Sequence, residues 1–286
     1  MKTLLVTGAT SLVGDFLLPR LAGAGWQTIA VSRQPRVSVH DSQWLIADIT
    51  APAATSWPTV DAMIHLAPLW LLPPLLQQIP FRSERRVIAF GSTSRLSKAA
   101  SPDPSERQMA QKLADAESAL LALPDASVTI FRPTLIYGAG RDQNVSLIAR
   151  TIHRFGFFPL IGAATGKRQP VHADDLASAC LSALSRPQTA GRIYDLPGGE
   201  TLAYRNMVEQ IFQALGRSPR FVRLPEATVR WGLRTLSLMP RWRKLTPEMA
   251  SRMNVDLAFD ASRAGQELDY QPRPFRPSAE DLGVSK

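Results

Sequence analysis

Eight residues near the start of the chain, Thr7-Gly8-Ala9-Thr10-Ser11-Leu12-Val13-Gly14, have the types and spacing to cradle a pair of phosphates. An apolar run, Lys2–Thr7, leads in as a strand, and Val13–Ala24 leads out as a helix. In that setting Gly8 permits a tight turn, and Gly14 lets the helix pack closely on the sheet. The free N–H groups and positive dipole end of the helix then face a pyrophosphate. Thr7, Gly8, Thr10, Ser11, Leu12, Val13 and Gly14 are therefore candidate cofactor-binding residues. A second strand ends in Ser32-Arg33, where a ribose 2′-hydroxyl calls for an acid. A guanidinium there, Arg33 with Arg36 nearby, suits a 2′-phosphate instead, so the expected cofactor is NADP(H) in preference to NAD(H). The competing reading of Arg33 is a surface arginine.

A second group of phosphate-binding types lies past the middle of the chain. Gly138-Ala139-Gly140-Arg141-Asp142-Gln143-Asn144 follows a strand, and Lys167-Arg168 lies further on. Arg141, Asn144, Lys167 and Arg168 can grip a phosphorylated substrate such as a nucleotide diphosphate, because the arginine fork matches phosphate oxygens. The plainer reading is a loop arginine and a helix-capping asparagine. Asp175 reads as a helix cap. The Trp231–Trp242 stretch, with Arg234, Arg243 and Lys244, reads as a substrate-lobe or subunit contact, since Pro240 cuts short any helix lying on a membrane.

The elements that must position these residues follow from the apolar runs. Thr28–Ser32, Trp44–Ala47, Ala62–Leu66, Arg86–Phe90 and Val128–Arg132 read as further strands, and Ser105–Leu123 as a long helix. Short, almost wholly apolar strands alternating with helices predict an α/β fold with a doubly wound parallel sheet, Rossmann-like, covered on both faces. Beyond Tyr137 the pattern loosens into helices at Val145–Phe155, Asp174–Leu184 and Tyr204–Leu215, with an added strand at Arg192–Leu196. The expected division is a dinucleotide-binding domain over 1–165, which also receives 168–198, and a small, mostly helical C-terminal substrate lobe over 199–286.

The chain has 286 residues, 45% of them hydrophobic and 20% charged, a composition that excludes intrinsic disorder. Cys180 is the single cysteine, which excludes an intrachain disulfide and a cysteine-based zinc cluster. No metal is expected. The net charge of +9 is not gathered into any basic run of nucleic-acid-tail density, so no nucleic-acid partner is expected. The longest uncharged stretch, Ala62–Phe81, is broken by Pro68, Pro73, Pro74 and Pro80, so no membrane span is expected and the reading is a cytoplasmic protein.

The order and spacing of six stretches resemble the extended short-chain dehydrogenase/reductase family, the NAD(P)-dependent nucleotide-sugar epimerases and dehydratases. They are Thr7–Gly14, Ala47–Thr50, Asp61–Ala67, Phe90–Ser94, Arg132–Gly138 and Gln169–Ala177. The resemblance implies that Asp48 and Ile49 lie beside the adenine, and that Leu66, Ala67 and Pro68 lie along the cofactor's middle. It also implies that Ser92 and Thr93 orient the substrate and that Pro133 and Thr134 lie near the nicotinamide. Ser11 departs from the family's middle glycine. The larger departure concerns the proton donor. The family places a tyrosine four residues before a lysine, one helical turn apart, so that the ammonium holds the ribose and lowers the phenol's pKa. Lys112 is the natural lysine here, but Gln108 occupies the tyrosine position, and no tyrosine lies between Asp61 and Ile136. An alternative pair, Ser94 and Lys98, requires a helix that begins directly after the strand. Glu106, Tyr137 or a water held by Ser92 are the possible substitutes.

Two functions follow. One is an atypical NAD(P)-dependent epimerase, dehydratase or reductase acting on a nucleotide-linked sugar or a related carbonyl or alcohol. In that reading Ser92 and Thr93 orient the substrate and Lys112 holds the ribose. The other is a catalytically inactive NADP(H)-binding sensor or assembly protein. The resemblance also implies a homodimer paired through the Ser105–Leu123 helix.

Overall fold

The computed structural model describes residues 2–38, 42–225 and 252–284. The Trp231–Trp242 cluster lies outside the described residues. Internal contacts divide the chain into two units. The first comprises Met1–Thr134, Ala173–Leu196 and Asp260–Gln271, and the second Leu135–His172, Pro197–Phe259 and Pro272–Lys286.

The first unit is built on a seven-stranded sheet: β1 (Thr3–Thr7), β2 (Gln27–Ser32), β3 (Gln43–Ile46), β4 (Val60–His65), β5 (Phe81–Phe90), β6 (Ala126–Pro133) and β7 (Arg192–Leu196). The order is β7-β6-β5-β4-β1-β2-β3, and every pairing is parallel. Strands this apolar need cover on both faces. Leu5, Met63, Val87, Ala89 and Ile130 turn to the face covered by α2 (Leu72–Leu76) and α4 (Pro104–Leu121). The alternate residues Leu4, Val6, Ala30, Ile64 and Ile88 are buried toward the opposite face. There α1 (Leu12–Gly23) and α5 (Ala173–Leu184) pack on each other. Each fully buried aliphatic side chain contributes about 1.5–3 kcal/mol, so this core carries the unit.

Three details differ from the sequence reading. β5 begins at Phe81 rather than Arg86, because Val60 pairs with Phe81 and an irregularity before Ala62 resets the register. Its polar residues Arg82, Ser83 and Glu84 are exposed, which hides the strand from an apolar-run reading. The proline-rich stretch contains α2, with prolines in the first turn where no N–H is needed. Finally, a one-turn helix, α3 (Ser94–Ser97), does begin directly after β5.

α4 is capped by Asp103, whose carboxylate accepts the Ser105 N–H at 2.8 Å, with Pro104 as first helical residue. Its Glu117 is only 3% exposed. That carboxylate accepts two bonds from the Arg132 guanidinium, at 2.7 and 2.5 Å, and lies 2.9 Å from Arg95 Nε. Asp195 lies 3.8 Å from Arg132, and burial pushes its pKa up against the pull of that arginine. This network ties α3, α4, β6 and β7 together around the end of β5.

In the second unit the Val145–Phe155 helix puts Val145, Ile148, Ala149 and Ile152 on one face and ends at Gly156, φ 75°. That face packs against Met207, Val208, Ile211 and Phe212 of the Tyr204–Ala214 helix. Three short strand pairs complete the unit: Ile136–Tyr137 with Val171–His172, Lys167–Arg168 with Leu202–Ala203, and Phe158–Ile161 with Phe221–Leu224. Phe158–Ile161 and Phe221–Leu224 were not foreseen from the sequence.

Glu117→Ala removes both hydrogen bonds from the Arg132 guanidinium, 12% exposed, to Glu117 and leaves it only the longer contact with Asp195. Removing one partner of a buried ion pair costs about 3–5 kcal/mol. Urea unfolding of the variant should show a loss of that size; a loss below about 1 kcal/mol, the value of an exposed pair, would show that the network is not structural.

Candidate functional site

The ends of the parallel strands place the sequence-predicted cofactor residues along one edge of the sheet, where doubly wound folds hold ligands. Backbone hydrogen bonds lace this edge. Leu66 N donates to Thr7 O at 2.9 Å, Ala47 N to Ser32 O at 3.0 Å, Gly91 N to Phe131 O at 2.7 Å and Thr134 N to Leu196 O at 3.3 Å. Thr7, Gly8, Ser32, Arg33, Asp48, Ile49, Leu66, Ala67, Pro68, Ser92, Pro133 and Thr134 thus all lie at or just past a strand end.

The turn leaving β1 is closely fitted. Gly8 has φ 68°, and a Cβ there would stand 2.7 Å from the Ala67 nitrogen and the Leu66 carbonyl carbon. A Cβ on Gly14 would stand 2.1 Å from Ala9 O. Neither position admits a side chain. Ser11, in place of a glycine, is the N-cap of α1. Its hydroxyl accepts the Gly14 N–H at 3.2 Å, and its own N–H donates to Gly8 O at 2.9 Å. The serine therefore serves the helix. The Leu12 and Val13 N–H groups are first-turn donors that no intrahelical carbonyl can reach. They are what the turn offers an anion.

Under this turn lies a residue that sequence reasoning passed over. His65, at the end of β4, is fully buried; its Nδ1 is 2.7 Å from Thr7 Oγ1 and its Nε2 is 3.2 Å from Pro68 O. Burial lowers its pKa to about 4, against a smaller upward pull from the Pro68 carbonyl. The neutral ring then donates from Nε2 to Pro68 and accepts at Nδ1 from the Thr7 hydroxyl. One imidazole therefore fixes the Leu66–Pro68 loop to the end of β1. A histidine closing an apolar strand beside a buried threonine strand end is the only hint in the sequence.

At the ends of β2 and β3, Ser32 Oγ accepts the Gln34 N–H at 3.2 Å and Arg33 is exposed. The Asp48 carboxylate accepts both the N–H and the hydroxyl of Thr50, at 2.9 and 2.8 Å. These bonds, and after them the Arg33 charge, lower its pKa, so Arg33 and Asp48 are near enough to interact.

The catalytic candidates are not gathered. The Thr93 hydroxyl donates to Pro133 O at 3.1 Å and is buried, so its proton is engaged in joining the ends of β5 and β6. Ser92 Oγ accepts the Ser94 N–H at 3.1 Å and keeps its own proton to donate. Glu117 points toward the end of β5, since its carboxylate is 3.4 Å from where a Gly91 Cβ would stand. One and two turns back on that line are Leu113, which is buried, and Met109. Lys112 lies a step around the helix and is exposed. It lines, with Trp70, Pro73, Asp115, Ala116 and Ala119, a depression of about 330 Å³ between α4 and the segment leading into α2. Gln108, on the same line as Lys112, is also exposed. The helix thus sets both on its outer flank because the inner one is taken by Ala110, Leu113 and Glu117.

The substitute donors have other partners. Glu106 accepts from Ser101 Oγ at 2.8 Å and lies 3.7 Å from Lys98 Nζ. Tyr137 is 1% exposed, between the rings of His172 and Phe275, each 5.0 Å away. Ser94 and Lys98 are one turn apart, Lys98 N donating to Ser94 O, so the helix that this alternative requires is present.

In the second unit, Arg168 is 5% exposed and donates to Lys167 O at 2.6 Å, to Val255 O at 2.8 Å and to Arg252 O. Its guanidinium is turned to backbone carbonyls and is not presented to a substrate. Burial lowers its pKa. Arg141 and Asn144 are exposed, as is Lys167, which pairs with Asp256 at 3.9 Å. Asn144 is not the side-chain cap of its helix. Asp142 takes that place, accepting the N–H groups of Asn144 and Ser146 and the Ser146 hydroxyl. His172 Nε2 is 2.9 Å from Asp281, a carboxylate that burial would raise but that His172 and Ser278 hold at a pKa of about 2.

Comparison with known proteins agrees with this architecture. The model of the NAD dependent epimerase/dehydratase family matches residues 90–196. A mitochondrial NADH dehydrogenase [ubiquinone] 1 alpha subcomplex subunit 9 of Arabidopsis thaliana is 34% identical over 127 residues, 44% of this chain and 31% of that protein. The chain spans between 31% and 50% of the length of the curated relatives it matches first. Among solved structures, gox2253 superposes with a TM-score of 0.75 at 19% identity, over 99% of this chain and 97% of that one. UDP-glucuronic acid 4-epimerase from Bacillus cereus, solved with UDP-glucuronic acid and NAD, superposes with a TM-score of 0.67 at 14% identity, over 98% and 96%. The resemblance to the extended short-chain dehydrogenase/reductases therefore holds, in family model and in the Rossmann-like fold. Among the described residues no helix is long and apolar enough to cross a membrane.

A histidine held neutral by folding makes stability depend on pH with a known sign. Above 6.5 neither state protonates His65; between 6.5 and about 4 only the unfolded chain does, so stability falls as pH falls through that window. The full loss is about 3 kcal/mol. Denaturant titrations of the wild type and His65→Asn at pH 7 and 4.5 should show this acid-dependent loss in the wild type alone. An equal loss in both would remove His65 from the account.

Proposed function

We propose that this protein binds a nicotinamide dinucleotide at the sheet edge formed by β1, β2 and β4, and that it acts through cofactor occupancy, as a redox sensor or assembly subunit. The observation that carries this reading is the pairing of a closely fitted glycine turn with a helix α4 that has Leu113 and Met109 on the line running back from an ion-paired Glu117. Gly8, Gly14 and the Leu12 and Val13 N–H groups would hold the pyrophosphate. Asp48, Ile49, Leu66, Ala67 and Pro68 would flank the adenosine and central part, and Pro133 and Thr134 the nicotinamide. The nicotinamide, when bound, supplies a hydride donor or acceptor. The line of α4 that runs back from Glu117 offers no group to manage the accompanying proton: Leu113, buried, and Met109, exposed, lie on it, and Lys112 lies a step around the helix. That relatives include respiratory-complex subunits supports an assembly role. The expected setting remains cytoplasmic, with homodimerisation through α4.

A second reading keeps catalysis. The contact of Lys98 with Glu106, Lys98 lying one helical turn beyond Ser94, favours it. Ser92 would orient a carbonyl or alcohol oxygen and the Lys98–Glu106 pair would exchange its proton.

Fluorescence titration with NADH and NADPH, followed by incubation of the loaded protein with nucleotide sugars and small carbonyl compounds, separates the readings. Binding without change in the nicotinamide spectrum is the expected result; turnover that Lys98→Ala abolishes would establish the second reading. Gly14→Val should weaken both cofactors by at least about 100-fold, or 2.7 kcal/mol.

Arg33 gives the cofactor preference its own check. We expect NADPH to bind more tightly than NADH, and Arg33→Ala to weaken NADPH by about tenfold, 1.4 kcal/mol, while leaving NADH within about twofold. Equal losses for the two would leave Arg33 a surface residue and the site without 2′-phosphate selectivity.

A further inference from the structure

The second unit carries an exposed basic and apolar surface that neither reading of the dinucleotide site uses. On the outer side of the Val145–Phe155 helix, Leu147 is 54% exposed and Phe155 57% exposed, with Arg150 and Arg154 beside them. The Arg154 guanidinium lies over the Phe155 ring at 5.2 Å, and the Phe155 and Phe157 rings are 6.2 Å apart. The Phe221–Leu224 strand continues this surface. Phe158 N donates to Arg220 O at 2.9 Å, and Arg217 donates to Ile152 O at 2.9 Å, which sets the 217–223 segment against the end of the helix. Val222 and Phe157 are 43% and 38% exposed, and Arg220 and Arg223 are exposed with them.

The charge of this surface has one sign. Across 141–161 and 217–224 the only acid is Asp142, and it is buried as the cap of the helix. Among the described residues no carboxylate pairs with Arg150, Arg154, Arg220 or Arg223. Two exposed phenylalanines, a leucine and a valine set among four such arginines are costly to leave in water. They combine what a lipid interface rewards: apolar side chains to enter the acyl boundary and guanidinium groups to meet lipid phosphates.

We propose that this surface docks on an anionic phospholipid bilayer, with Phe155 and Phe157 entering the interface and Arg154 and Arg220 meeting the head groups. Nucleic acid also takes up arginines, but it gains little from aliphatic groups such as Leu147 and Val222, so the bilayer is the better fit. The association is peripheral and salt-sensitive.

The test is co-sedimentation of the full chain with vesicles of phosphatidylcholine alone and of phosphatidylcholine with phosphatidylglycerol. The expected result is at least a tenfold larger bound fraction on the anionic vesicles, reduced severalfold in ~1 M salt, where screening reaches ~3 Å. Phe155→Ser with Phe157→Ser, and separately Arg154→Glu with Arg220→Glu, should each lower binding at least tenfold while circular dichroism and the urea midpoint stay at wild-type values. Equal sedimentation on both vesicles, or wild-type binding by both folded variants, overturns the proposal. So does an oligonucleotide that binds this surface more tightly than the anionic vesicles do.

Discussion

Two backbones meet beside β1 at a separation that no side chain can occupy. Gly8 lies under the Leu66–Ala67 peptide, and Gly14 lies on Ala9, both closer than any Cβ allows. The first contact sets where the loop after β4 can run; the second sets how closely α1 approaches the turn. Together they aim the open N–H groups of Leu12 and Val13. His65 maintains the arrangement from beneath, joining Thr7 to Pro68 through a ring that burial keeps neutral. A charged ring there would place a cation in the core and turn the Thr7 hydroxyl from donor to acceptor, so folding and the neutral state of this imidazole support each other.

The same edge shows where binding machinery and catalytic machinery part. Hydroxyls at the ends of strands are available to ligands only if the fold does not use them. Thr93 is used, Ser11 is used as a cap, and Ser92 retains its donor. The acid on α4 that faces the end of β5, Glu117, is committed to Arg132 and Arg95. Its removal from proton chemistry is part of what holds β5, β6 and β7 in place. The flank of α4 that continues from it is apolar. The glycine turn after β1 is thus closely fitted, while the line of α4 that runs back from Glu117 carries Leu113 and Met109.

Much of this was legible in the sequence. The unbroken apolar strands and the glycine turn predicted the parallel sheet and its ligand edge, because burial on both faces and a tight turn leave those marks in composition. β5 was misjudged at its start because an exposed extension carries charged residues, which an apolar-run reading assigns to a loop. Lys112 was assigned by its spacing from Gln108. The rotation of α4 is set by Leu113, Ala116, Glu117 and Leu120 packing inward, and that turns Lys112 outward. Arg168 was taken for a phosphate ligand because residue type does not reveal three carbonyls contributed by 167 and by 252–255, far along the chain. Asn144 reads as a phosphate ligand, with a helix cap as the plainer alternative; it does not cap its helix, because Asp142 two residues earlier accepts the N–H groups of Asn144 and Ser146 and the Ser146 hydroxyl.

The donors that the turn after β1 would offer a dinucleotide are two specific amides, those of Leu12 and Val13. Amide hydrogen exchange followed by NMR, with and without saturating NADH or NADPH, reads them one by one. Bound dinucleotide should slow exchange at Leu12 and Val13 by at least about tenfold, with smaller changes at Ala67 and none in the Val145–Phe155 helix. Unchanged exchange at both amides in a protein saturated with cofactor would show that the dinucleotide sits elsewhere.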